Sequence, residues 1–313
     1  MTGHIKINNQ LEERSHHLSS DLGPFIRTAM QRRGSQRCKA AEDIYWQSDF
    51  FGLNGCSFWE NLDEETKGSV VKELNQKTLE EAFYIEKSGM TYTAKMSLLA
   101  ETNEERSLYG MLSADEAVHF HMISSFMSHE PSSHEDQPFL QLLDEVVYHG
   151  SFSALIFIAQ VLLEGWGLSS YMGLLKASRN LHMTETLRSI LNDEAIHHGS
   201  GIVMTKRHPL VGQDLEMVQE VLVKFFDLVR AGPVRTAATI AKSYGGFSKK
   251  DFVDLYREMD AEKQVMTNLG ALTHLIDEHC TTPKLAEFIR AQKLDQPVNE
   301  SEFANLMSKA YHG

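Results

Sequence analysis

The segment Asp115-Glu116-Ala117-Val118-His119 returns 78 residues later as Asp193-Glu194-Ala195-Ile196-His197. Each copy has a second glutamate 30 residues upstream, and each upstream glutamate has a glycine three residues on: Glu86 with Gly89, and Glu164 with Gly167. Self-similarity of this kind marks a duplicated supersecondary unit. Two copies are too few for a solenoid, so the chain must place two like units against each other.

The unit is helical. Apolar residues recur at helical spacing through most of the chain, and runs of alternating strand residues are missing. The pattern predicts four long helices over 70–101, 103–129, 138–178 and 181–206. Helices at 11–33 and 36–48 precede them. Helices at 213–231, 234–243, 248–279 and 300–311 follow, separated by turn signals such as Gly232-Pro233, Gly245-Gly246 and Thr282-Pro283. Thr102 and Glu105 have the spacing of a capping box, which starts the second long helix. The expected fold class is all-α: one domain over 1–313, with a core at about 70–208 and flanking helices at 1–69 and 209–313.

The spacing has a geometric consequence. Glu86 and Glu116 lie equally far from the turn at Thr102-Asn103, and Glu164 and Glu194 are equally far from the break at Arg179-Asn180. In an antiparallel hairpin, equal separation from the turn means equal height, here roughly 22 Å at about 1.5 Å per residue. Two such hairpins packed together bring four carboxylates to one level. Each Glu-x-x-His also puts its glutamate and histidine on one helix face.

Four buried carboxylates without cations would repel one another and resist ionisation. No lysine or arginine recurs in the repeat to neutralise them, whereas two divalent ions would. Glu86, Glu116, His119, Glu164, Glu194 and His197 are therefore the candidate metal ligands, and the candidate catalytic set. Oxygen-rich ligation with two imidazoles suits iron or manganese better than zinc. Asp115 and Asp193 each precede a copied glutamate. Since metal-bound histidines donate their second ring N–H to a carboxylate or carbonyl, each aspartate is expected to serve the histidine of the other hairpin. Glu80 and Glu81 compete with Glu86 as ligand but fall off its stripe and have no counterpart in the second copy. His121 and His198 adjoin the motif without recurring, and His129, His134 and His149 read as loop and helix-end residues. Gly89 and Gly167 serve either close helix packing or space beside the metals for dioxygen or substrate.

Other classes fare worse. With 43 acidic and 30 basic residues, the chain lacks the basic footprint of a general nucleic-acid binder; Arg32, Arg33 and Arg37 read as a solvated helix face. Cys38, Cys56 and Cys280 form no metal-binding pair and fit a reducing cytoplasm. Met1–Asn9 lacks the apolar run of a signal peptide. Between Glu145 and Lys176 the only charged residue is Glu164, and the centre, Ala154–Leu163, is strongly apolar, but Gln160 and Glu164 sit in mid-span, so a buried helix is expected instead of a membrane span.

The E, ExxH, E, ExxH order resembles the ferritin-like di-iron carboxylate superfamily, in which two helices give one Glu each and two give Glu-x-x-His. The two DExxH copies are similar to those of its oxidative branches: multicomponent monooxygenase hydroxylases, acyl-carrier-protein desaturases, the ribonucleotide reductase small subunit and arylamine N-oxygenases. The resemblance covers residues 86–197 and implies a ferritin-like four-helix bundle with additional terminal helices. It also departs from particular members. Ile123 stands where the reductase has its radical tyrosine, Ile190 where arylamine N-oxygenases have a further histidine, and no rubredoxin-type cysteine site exists. The implied activity is a non-haem di-iron oxygenase or oxidase that hydroxylates, N-oxygenates or desaturates a small organic molecule. Its implied partners are O2, that molecule, and a separate reductase or ferredoxin. A cytoplasmic protein is expected, and a homodimer is compatible with it. The alternative from another class is a ferroxidase or iron-storage protein; a structural helical protein with a decayed site is the third. Tyr92, Tyr109, Trp166 and Tyr171 are candidate pocket residues.

Overall fold

A computed structural model describes residues 22–33, 42, 44–129, 131, 137–279 and 284–312, and among these the structure is helical with no strand. Expectations for Met1–Asn9, Arg37, Cys38, His134, Cys280, Thr282-Pro283 and the first half of helix 11–33 lie outside the described residues.

Four long helical stretches carry the repeat. Helix α1 (Gly23–Arg32) and the single turn α2 (Ser57–Glu60) precede them. Helix α3 (Glu64–Leu99) begins at Asp63, whose side chain accepts from the backbone N–H of Thr66. Helix α4 (Asn103–Ser124) begins at Thr102, where Thr102 and Glu105 form the expected capping box. This short turn folds α4 back on α3. After α5 (Pro138–His149), α6 (Phe152–Leu155) runs through a π-helical segment, Ile156–Leu163, into α7 (Glu164–Ala177). Asn180 caps α8 (Leu181–Arg207), which packs along α7 and the π segment and touches α4. Helices α9 (Gln213–Arg230), α10 (Val234–Ser243), α11 (Lys249–Glu258), α12 (Ala261–His279), α13 (Lys284–Ala291) and α14 (Glu300–His312) complete the chain. Helix α9 covers α5, α10 covers α3, and α12 lies against α7 and the π segment.

Several expectations need correction. The helix expected over 138–178 is broken at Gly150. Ser151 starts the next helix by accepting from Ala154 N–H, and Lys95 of α3 donates to the carbonyls of Val147, Tyr148 and Gly150 that the break leaves open. The helix over 248–279 is divided at Asp260, which takes a positive φ of 50°. Helix 103–129 stops at Ser124, residues 44–48 are not helical, and α2 and α13 were not expected.

Phe152–Ala177 is long and apolar enough to cross a membrane by length and composition. Its apolar residues Ala154–Leu162 are nevertheless buried, and Gln160 is fully enclosed among them.

Candidate metal centre

Helices α3, α4, α7 and α8 each carry one of the repeat's glutamates, and the helices meet so that these carboxylates converge. One ligand atom from each of Glu86, Glu116, His119 and Glu194 lies within 4.8 Å of the others, and the same holds for Glu116, Glu164, Glu194 and His197. The two sets share Glu116 and Glu194. Two cations held here would therefore have these two carboxylates in common, with Glu86 and His119 on one side and Glu164 and His197 on the other. The imidazole rings are tilted, 6.0 Å between centroids.

The donor atoms face inward without ordinary partners. His119 Nδ1 is 3.4 Å from Glu86 and 3.3 Å from Glu194, and His197 Nδ1 is 3.2 Å from Glu116. Neither nitrogen, nor Glu164 Oε2, has a partner in hydrogen-bond geometry, although all three are buried. Buried polar atoms are rarely left so, and two divalent cations, one beside His119 and one beside Glu164 and His197, would satisfy all three. The outer ring nitrogens point the other way. His119 Nε2 is 3.1 Å from Asp193, and His197 Nε2 is 3.6 Å from Asp115. His119 thus bonds the aspartate of the other copy, whereas His197 Nε2 only approaches Asp115 and has no partner in hydrogen-bond geometry.

Electrostatics show how the cluster stands without cations. Burial, then the neighbouring Glu194, pushes the Glu116 carboxyl up to about 8. Glu164 is also raised well above the usual carboxylate range, by burial first and Glu194 next. Burial by itself would lower His197, but Asp115, Glu116 and nearby carboxylates outweigh it and raise the ring to about 11. His119 is raised in the same way, against burial, by Asp193, Glu194 and Glu86. Protons occupy the cluster where cations would otherwise balance its charge.

The glycines divide the two readings given to them. A Cβ on Gly89 would collide with the Glu116 carboxylate, so glycine there lets a ligand from α4 approach α3. At Gly167 a Cβ would meet nothing within 4 Å, because this glycine faces a cavity. That cavity, about 730 Å³, reaches Glu86, Glu116, Glu164 and Glu194 and is walled mainly by apolar residues of α3, α5, the π segment and α7. Tyr92, Trp166 and Tyr171 line it; Tyr109 is buried but does not.

Three features lay outside the sequence reading. Tyr171 donates its hydroxyl to Glu86, joining the second copy to the first. Gln160 accepts from the hydroxyls of Tyr92 and Tyr109 and donates to the carbonyl of His197 and the hydroxyl of Ser200. The only sequence signal for this role was a lone polar residue in an apolar run. The π-helical segment ends at Leu163, immediately before Glu164, and such segments concentrate at functional sites. Of the residues set aside, Glu80 is buried, contrary to expectation, and Glu81 lines the cavity, yet neither joins the donor cluster. His198 packs against His279. Cys56 is buried as a free thiol.

Comparison with protein-family models, with curated proteins and with solved structures finds no match for the chain.

Proposed function

We propose that this protein is a ferritin-like non-haem di-iron oxygenase or oxidase acting on a small organic substrate. The observation that carries the reading is the pair of overlapping donor sets sharing Glu116 and Glu194 at the wall of a large, mostly apolar cavity. The packing of α3 on α4, α7 on α8 and α4 on α8 supports a four-helix bundle around that centre. Four carboxylates with two imidazoles fit iron, with manganese as the near competitor.

When bound, the two ions supply O2 reduction and substrate oxidation. The chain supplies the rest. Asp193 holds the His119 imidazole with its inner nitrogen toward the carboxylates, and Asp115 stands beside the outer nitrogen of His197 at 3.6 Å. The Tyr171 hydroxyl restrains Glu86, and Gly89 admits Glu116. The apolar walls exclude water and orient the substrate beside the carboxylates. Electrons come from a separate reductase or ferredoxin.

The cavity separates this reading from a ferroxidase, which shares the donors but needs no room for an organic molecule. The test is anaerobic loading with ferrous iron, followed by O2 exposure and optical and Mössbauer spectroscopy, with the assembly state measured in parallel. Two irons per chain, oxidation by O2 and a monomer or dimer are expected. A hollow multi-subunit shell that accumulates iron would replace the proposal with storage, and failure to bind any transition metal would end both readings.

A further inference from the structure

The cavity follows one face of α3. On α3 it is lined by Leu74, Lys77, Glu81, Ile85, Gly89 and Tyr92, successive turns of one face. That stripe rises roughly 27 Å, whereas a sphere of the cavity's 730 Å³ would be roughly 11 Å across. The inner end is closed by Tyr92, Val147 and Ala159, all buried, and the Tyr92 hydroxyl is already committed to Gln160. At the outer end Arg235 of α10 pairs with Glu81, while Lys77 lies 2.7 Å from Glu73 and donates to Thr239 Oγ1 at 3.1 Å. Glu86, the first residue of the centre on this stripe, stands about 18 Å from Leu74 and about 9 Å from Tyr92 along the helix.

We infer that the substrate is a slender amphiphile, an alkyl chain with one uncharged polar end. The tail fills the inner limb past the centre, the polar end stays among the groups at the mouth, and an interior carbon lies beside Glu86 and Glu164. The charges at the mouth are already engaged with one another or with neighbours, Arg235 with Glu81, Lys77 with Glu73 and Glu80 with Gln76, so none is left to pair a charged end, whereas an uncharged polar end needs no counter-charge. The inference deepens the oxygenase reading, but chain binding itself requires no metal.

The test is calorimetric titration of the full chain, metal-free and iron-loaded, with 1-alkanols of increasing length, with carboxylates and amines of matching length, and with 2-naphthol as a compact control. Affinity for the alkanols should rise about fourfold per methylene until the inner limb is filled, then level off. Gly167→Leu, whose side chain enters open space, should weaken decanol binding tenfold or more and leave butanol unchanged. Naphthol binding as tightly as decanol, or decanol binding indifferent to Gly167→Leu, overturns the chain-shaped ligand. Carboxylates or amines binding tenfold tighter than alkanols overturn the uncharged end. Chain binding in a protein inert to O2 would sink the oxygenase reading alone; iron and O2 reactivity without chain binding would sink this inference alone.

Discussion

His119 on α4 meets Asp193 on α8 at 3.1 Å, so the aspartate of the second copy supports the histidine of the first. The reciprocal pair, His197 with Asp115, is wider at 3.6 Å. Acceptors at the outer nitrogen fix a histidine's tautomer and raise its basicity as a ligand, and losing one typically costs 10–100-fold in metal affinity. Asp193→Asn should therefore weaken metal retention by about 10-fold or more, and Asp115→Asn by less, because its contact is longer. Competition with a chromophoric chelator measures both. Equal affinity in wild type and Asp193→Asn would remove the aspartates from the centre.

Gly89 and Gly167 occupy equivalent places in the repeat but face different surroundings. Gly89→Ala sets a methyl against the Glu116 carboxylate, so metal stoichiometry should fall while helical circular dichroism is kept. Gly167→Ala meets no neighbour and gains helix propensity, raising stability by up to about 1 kcal/mol with metal binding unchanged. If both substitutions behave alike, the repeat's glycines share a packing role and the assignment of Gly89 is wrong.

The repeat made much of the site legible. Glu86 and Glu116, and Glu164 and Glu194, are placed by counting from a turn, and the Thr102–Glu105 capping box fixes where one turn lies. What the sequence hid depends on distant contacts. Gly150-Ser151 does carry a stop-and-cap signal, but the apolar period on both sides of it reads as one continuous helix; Lys95, reached only through the fold, caps the exposed carbonyls. Glu80 reads as off the buried stripe of α3 but is covered in the folded chain. The cavity mouth likewise needs Arg235 of α10, far from the repeat. The π segment shifts the helical phase without a residue signature of its own.

The proton content of the cluster predicts a sloped pH profile for the metal-free protein. Glu116 is raised from 4.5 to about 8 and His197 from 6.5 to about 11. In both cases the folded state holds a proton that the unfolded chain releases earlier, so stability falls as pH rises. The Glu116 contribution is lost between 4.5 and about 8, and that of His197 between 6.5 and about 11. Each such proton gives a slope of about 1.4 kcal/mol per pH unit inside its window. Denaturant melts from pH 5 to 9 should show steady loss for the metal-free protein. Metal binds the deprotonated ligands better, so the metal-loaded protein should lose less, or gain, over the same range. Parallel profiles with and without metal would show that these groups do not exchange protons for cations.

Gln160 satisfies the hydroxyls of Tyr92 and Tyr109 while bonding across to His197 and Ser200. Gln160→Leu keeps similar bulk but strands two buried hydroxyls, each costing about 1–3 kcal/mol. Unfolding by urea should show a loss of roughly 2–6 kcal/mol, with much of it recovered when Tyr92→Phe and Tyr109→Phe are added. A single substitution that melts like wild type would show that water takes over the network.

Tyr171 touches one half of the centre only, through its hydrogen bond to Glu86. Glu86 belongs to the donor set with His119, whereas Glu164 and His197 make up the other side. Tyr171→Phe keeps the ring in place and frees Glu86 to turn toward the cavity. The two cations should then differ. Chelator titration should remove one at lower concentration than in wild type, by about 10-fold for the loss of one supporting partner, while the other is held as before. The substitution loses little buried surface, so thermal stability of the metal-free protein should change by no more than about 1.5 kcal/mol. Equal loosening of both ions would mean that Tyr171 acts on the whole bundle, and an unchanged titration would mean that Glu86 needs no restraint.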